Sequence, residues 1–254
     1  MPGKYVKARK QQRAGRDAES KGETARTTDS AIWKEQLVMQ EYLFLTGMIL
    51  KQIPIGEYDR RVTILTKERG KIAAFARGAR RQGNRLSAAT NSFAFGIFKV
   101  YPGRDSYTLV DADIKNYFEA LMSDCDGAYY GMYFAEIADY YSRENNDERQ
   151  LLGLMYQSLK ALTVPSLKRE LVRCIFECKA IAVNGEYPGP PDDQKLSDSA
   201  VYALDYIGRS SLEKLYTFTV TDEVLEEMKE VAGRYCRRFM RHDFKSLEIL
   251  KTLC

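Results

Sequence analysis

Arginine and lysine are the side chains with the most chemistry to offer along this sequence. Twelve fall between residues 43 and 113: Lys51, Arg60, Arg61, Lys67, Arg69, Lys71, Arg77, Arg80, Arg81, Arg85, Lys99 and Arg104. Guanidinium forks and ammonium groups donate hydrogen bonds to phosphate oxygens, and they release condensed counterions when a polyanion binds. Phe75, Phe93, Phe95, Phe98, Tyr101 and Tyr107 interleave with them, and a ring stacked on a base contributes ~1–3 kcal/mol. An alternating strand buries half its side chains, so part of these rings must belong to a core. A solvated basic face around an aromatic core is the competing reading.

Other chemistries find less support. RGARRQGN lacks the fixed glycines at a helix start that a Walker sequence or a dinucleotide fingerprint requires. His242 is the single histidine, so a histidine ligand pair has no second member and no Ser/His/Asp triad can be built from any other histidine. Cys174 and Cys178 stand i, i+4, but Cys125, Cys236 and Cys254 lack the short paired spacing of structural zinc sites. Free cysteines on a packed helix face are the expectation, with no disulfide. Carboxylates in DCDG and PDDQ read as caps and loop solvators rather than as catalytic pairs. No catalytic residue, metal or cofactor is expected, and the sequence makes no case for an enzyme.

A second basic segment closes the chain. GRYCRRFMRHDFKSLEIL sets Arg234, Arg237, Arg238, Arg241 and Lys245 among Tyr235, Phe239, Phe244, Leu247 and Leu250. A basic rim beside an apolar groove suits an acidic peptide that ends in hydrophobic residues. An amphipathic closing helix with an exposed basic face is the alternative.

The elements that must position these residues follow from periodicity. From Leu43 to Ile114, LFLTGMILKQIPI, RRVTILTKE, KIAAFARGA, SFAFGIFKVY and SYTLVDADI alternate, with turns at ERGK and PGRD. Five strands in so short a stretch predict a small barrel, an OB-fold being the economical choice and an SH3-like barrel its competitor. KIAAFA should place Ile72, Ala74 and Ala76 on one face and Phe75 on the other, with Arg80 to Arg85 in the following loop. After Tyr117 the period turns helical, in runs beginning near 126, 147, 166, 196, 221 and 244. Asp147, Ser166 and Thr221 act as start signals and Gly185 as a stop. NGEYPGPPDDQKL, 184–196, is a loop. The fold class is therefore α+β, with domains at 39–116 (barrel) and 117–254 (helices).

Residues 1–38 read as a disordered basic leader. With no long apolar run and no signal-like opening, a cytoplasmic location is expected, without membrane contact. The net charge of +4 hides a polarity: residues 43–113 carry twelve Lys or Arg against six Asp or Glu, and residues 114–254 carry eighteen against twenty-three. That asymmetry points a polyanion at the first folded part.

LTGMILKQIPIGEYDRRVTILTKERGKIAAFARGARR resembles the opening of the RecO family of bacterial recombination mediators, in which T-G-x-x-L-K, G-E-x-D and G-K-x-x-x-x-A-x-G-A-R-R recur in order. Here these are Thr46-Gly47 to Lys51, Gly56-Glu57-Tyr58-Asp59, and Gly70-Lys71 to Arg81. FECKAIAVNGEYP and KSLEIL are similar to later family motifs. The resemblance implies an N-terminal OB-fold, an all-helical domain, and binding and annealing of single-stranded and double-stranded DNA. It implies too that the protein works with RecR to let RecA replace single-strand-binding protein (SSB), contacted through its acidic tail, in gap repair and recombination. The DNA contacts expected are Lys51, Arg60, Arg61, Lys71, Arg77, Arg80, Arg81, Arg85, Lys99 and Arg104; those for the SSB tail are Arg234, Arg238, Phe239, Arg241 and Lys245. A nucleoid-associated location would follow. Many family members carry a four-cysteine zinc module after the position of Gly185-Glu186-Tyr187-Pro188, and here it looks deleted. Alternatives from other classes are an OB-fold adaptor that binds the SSB tail with little DNA affinity, and an RNA-binding barrel.

Overall fold

The computed structural model describes residues 41–193 and 195–253. The basic leader expected over residues 1–38 lies outside them.

Strands β1 (Leu43–Ile55), β2 (Asp59–Thr66), β3 (Gly70–Ala76), β4 (Phe95–Pro102) and β5 (Tyr107–Asn116) close into a barrel of order β1-β2-β3-β5-β4, with β4 paired back onto β1. Only β3 and β5 run parallel. This is the five-stranded Greek-key closure of an OB-fold. Alternation decides which side chains fill it: Leu45, Ile49, Val62, Ile64, Ile72, Ala74, Phe98, Val100 and Leu109 point inward and are buried. Phe75 stands outside at 36% exposure while Ile72, Ala74 and Ala76 are enclosed, as alternation predicts. A short helix α1 (Leu86–Ala89), which the alternation did not reveal, sits between β3 and β4 and closes the barrel with Leu86.

Two departures bear on the rest of the molecule. A bulge between Ile49 and Lys51 breaks the β1 alternation, so Met48, Ile49 and Leu50 are all buried. Ile49 faces the barrel interior, whereas Met48 and Leu50, with Leu65 of β2, join the apolar cluster of the helices. Phe93 was expected inside a strand. Instead it takes a left-handed backbone (φ 69), pairs with Ile49 through Phe93 N–H to the Ile49 carbonyl at 2.8 Å, and β4 begins only at Phe95. Its ring packs over Gly131, where a Cβ would come within 2.8 Å.

The helices are α2 (Glu119–Met122), α3 (Cys125–Tyr141), α4 (Arg149–Ala161), α5 (Arg169–Val183), α6 (Asp198–Arg209), α7 (Asp222–Phe239) and α8 (Lys245–Leu253). Helix α3 packs against β1, α2, α4, α5 and α8, which is why it reads as apolar nearly all round. Asp124, Ser197 and Thr221 cap α3, α6 and α7 by accepting backbone N–H groups. Ser166 does not start α5, whose first turn follows Lys168 without a side-chain cap. Gly185 (φ 76) ends α5: its N–H reaches the Ala182 carbonyl and that of Glu186 reaches Ile181, the paired bonds of a Schellman stop. Tyr133 and Arg173 both donate to one oxygen of the buried Glu177, at 2.7 and 2.8 Å, tying α3 to α5. Cys174 and Cys178 are buried on α5, and burial raises both thiols above their ordinary value. The 184–196 loop is held down by Tyr187 Oη on the Leu204 carbonyl (2.9 Å) and by Tyr235 Oη on that of Gly189 (2.8 Å).

The β2–β3 turn docks on the segment after α3. Lys71 N–H reaches the Arg143 carbonyl and Asn145 N–H reaches that of Arg69. Gly70 (φ 63) lies so close that a Cβ there would be 2.2 Å from the Arg143 oxygen.

Candidate nucleic-acid interface

The register of β1, β2 and β3 builds an outward face. Ile53 is opposite Arg61, Arg61 opposite Phe75, and Phe75 opposite Thr108 of β5. One step along, Lys51 pairs with Thr63 and Ile55 with Asp59. Directly paired residues project from the same side of a sheet, so basic Lys51 and Arg61 share this side with apolar Ile53, Ile55 and Phe75. All five are exposed, the apolar three at 36–41%.

The β1–β2 turn and the turn after β3 join at one end of this face. Asp59 accepts the Gly78 N–H at 2.7 Å. Arg80 donates its backbone N–H to the Tyr58 carbonyl at 2.8 Å and its Nη1 to the Gly56 carbonyl at 2.9 Å. The Arg81 guanidinium lies 4.8 Å from the Tyr58 ring centroid. Arg77, Arg80 and Arg81 are exposed here, with Tyr58 at 42% exposure. Three guanidiniums beside an open ring offer phosphate donors next to a stacking platform.

The remaining expected contacts are dispersed. Arg60 is turned to structural use: its Nη1 donates to the Ser87 carbonyl, Thr90 Oγ1 and Asn91 Oδ1 at 2.8–3.1 Å, holding α1 to the barrel. Burial, then the neighbouring Arg80 charge, lowers its pKa. Lys71 is likewise corrected to an internal role, its Nζ bonded to the Asp139 carboxylate at 2.8 Å and to the Asp139 carbonyl. Alternation could not show either, because both partners come from distant parts of the chain. Arg85 pairs with Asp111 at 3.1 Å, largely in solvent, a pairing weak enough to exchange for phosphate. Lys99 stands on the β1–β4 side, over the Tyr42 ring at 4.2 Å. Arg104 is exposed in the β4–β5 turn. Because Tyr107 lies opposite Ala74 in parallel pairing, that turn sits toward the start of β3, away from the arginine turn.

Among the aromatics named from sequence, Phe93 and Phe98 are core, and Phe95 packs on Tyr156 with centroids 4.7 Å apart. Tyr101 and Tyr107 are half-buried. Ile53 and Ile55, which the sequence did not single out, and Tyr58 and Asp59, noted there only as part of a family motif, complete the face. Continuing the β1 alternation past Lys51 would have found the two isoleucines.

At the C-terminal end, Arg238, Arg241 and Lys245 are exposed and Arg238 lies over the half-buried Phe239 ring at 5.1 Å. Arg234 pairs with Asp193 at 3.1 Å. Of the apolar residues expected beside them, Tyr235, Phe244 and Leu250 are buried and Phe239 and Leu247 half-buried. His242 is exposed and stacks on Tyr140. No helix among the described residues is long and apolar enough to cross a membrane.

Comparison with known proteins follows the same division. The family model described as "Recombination protein O N terminal" matches residues 39–118, and "Recombination protein O C terminal" matches 122–189 and 186–248. The two pieces of the second match meet within the Pro-Gly loop. The chain is 27% identical to a DNA repair protein RecO of Acetivibrio thermocellus, over 84% of this chain and 97% of the relative. It is 26% identical to one of Clostridium novyi, over 82% and 93%. Barrel, helices, motif order and both family matches agree, and the chain belongs to the RecO family.

Proposed function

We propose that this protein is a non-enzymatic mediator of DNA repair and recombination that binds and anneals single-stranded DNA, also contacts double-stranded DNA, and acts with RecR to load RecA onto SSB-coated strands. The observation that carries this reading is the exposed β1–β2–β3 face, where Arg61, Arg77, Arg80 and Arg81 stand beside Phe75 and Tyr58. Lys51, Arg85, Lys99 and Arg104 extend the basic surface around the barrel. Phosphates lie on the guanidiniums and bases stack on the rings, so affinity is strongly salt-dependent and nearly sequence-independent. The partners come from family membership: RecR, RecA indirectly, and the acidic SSB tail, for which Arg234, Arg238, Phe239, Arg241 and Lys245 are the proposed contacts. The lack of any cysteine between Cys178 and Cys236 supports a lost zinc module and a metal-free protein.

The test is a salt-dependent titration of single-stranded DNA with and without an SSB-tail peptide. Four phosphate contacts predict a log–log slope of about −3. Tight peptide binding with negligible DNA affinity would replace this reading with the adaptor, which the exposed Arg238, Arg241 and Lys245 favour.

A further inference from the structure

A groove on the helical part lies away from the barrel. It measures about 910 Å3 and runs between one side of α6, with Asp198, Tyr202 and Tyr206, and the segment Phe218–Val224 leading into α7. Tyr202 is 71% exposed, the most of any large apolar or aromatic side chain noted on the surface. It stacks on Tyr206 with centroids 6.3 Å apart and an interplanar angle of 23°, and Tyr206 meets Phe218 edge-on at 5.4 Å. An aromatic ladder that open is costly to leave in water unless something covers it.

The opposite wall, Phe218–Val220, is irregular chain outside any helix or strand. Among the described residues, the backbone groups of Phe218, Thr219 and Val220 take part in no hydrogen bond. Such a segment leaves its N–H and C=O groups open to the backbone of an incoming peptide. The one charged side chain lining the groove is Asp198, and α7 opens beside it with Asp222 and Glu223. Lys168, which pairs with Asp222, and Lys214, whose charge acts on Tyr206, are the nearby counter-charges.

We propose that this groove binds an extended peptide carrying alternate basic and apolar residues, its apolar side chains on Tyr202, Tyr206 and Phe218, its backbone along Phe218–Val220, and its cations toward Asp198. The groove shares no residue with the barrel face or with the C-terminal arginines, so this site stands or falls separately from DNA binding.

The experiment uses the full-length protein and three fluorescein-labelled peptides: one alternating lysine with leucine and phenylalanine, one with glutamate in place of lysine, and one with prolines at alternate positions of the basic peptide. Anisotropy should show saturable binding of the basic peptide only. Tyr202→Ala should weaken it about tenfold or more, as truncating a central aromatic anchor does, and Asp198→Lys should weaken it also. Both side chains are exposed, so both variants should keep the wild-type melting temperature and DNA affinity. Equal binding to wild type and Tyr202→Ala, preference for the glutamate peptide, or no saturable binding would each overturn the proposal. So would a concentration-dependent dimer that Tyr202→Ala abolishes, which would place a second copy in the groove. Undiminished binding of the proline peptide would overturn the backbone pairing.

Discussion

Arg80 spends one side-chain nitrogen on the Gly56 carbonyl and keeps the others for solvent. Its position is fixed before any ligand arrives, which lowers the entropy lost on contact with phosphate. Arg81, laid on Tyr58, is restrained in the same way. Reversing Arg77, Arg80 and Arg81 to Glu together should weaken single-stranded DNA binding at least tenfold and flatten the salt slope by about two units, with circular dichroism unchanged. Undiminished binding would remove this turn from the interface. Asp59 acts differently, since it touches no ligand but fixes the turn through the Gly78 N–H. Asp59→Ala should cost about 1 kcal/mol of stability and weaken DNA binding a few-fold with the salt slope retained, because the phosphate donors are still present. A slope as flat as that of the triple variant would mean that Asp59 does more than position.

At the scale of elements, the strands were legible because each alternates, and Phe75 fell outside the barrel as the pattern required. What failed were places where a second surface covers the strand. Met48 and Leu50 are buried on the outer side because helices lie there, and Phe93 kinks to set its ring on Gly131; neither fact is local. The internal partners of Arg60 and Lys71 were hidden for the same reason, their acceptors lying 27 or more positions away. The basic character of the arginine turn was legible in composition, while its docking on Gly56 and Tyr58 was not. Lys179 shows how far such distant pairing goes. Its Nζ donates to the carbonyls of Ile207, Gly208 and Ser210 at 2.7–3.2 Å, closing the end of α6, and burial lowers its pKa. Lys179→Met should leave those carbonyls unpaired and cost about 1–3 kcal/mol in urea denaturation, with DNA affinity unchanged.

Over the whole molecule, the contacts that join the barrel to the helices include the apolar cluster shared by Met48, Leu50, Leu65 and Phe93, the docked β2–β3 turn, the Lys71–Asp139 pair and Phe95 on Tyr156. Gly70→Ala forces a side chain against the Arg143 carbonyl from a left-handed backbone. It should cost about 2 kcal/mol or more, read as a lower midpoint in a single transition seen alike by tyrosine fluorescence and far-ultraviolet circular dichroism. Metal analysis of purified protein should find well below one zinc per chain; an equimolar content would defeat the reading of a lost module. The shared cluster has a kinetic consequence as well. Met48, Leu50, Leu65 and Phe93 are sealed between the two parts, and on the reading proposed above a bound strand lies on an exposed face of the barrel. A strand held there resides only as long as its separate contacts do, and a competing protein can peel it away one nucleotide at a time without waiting for a lid to open.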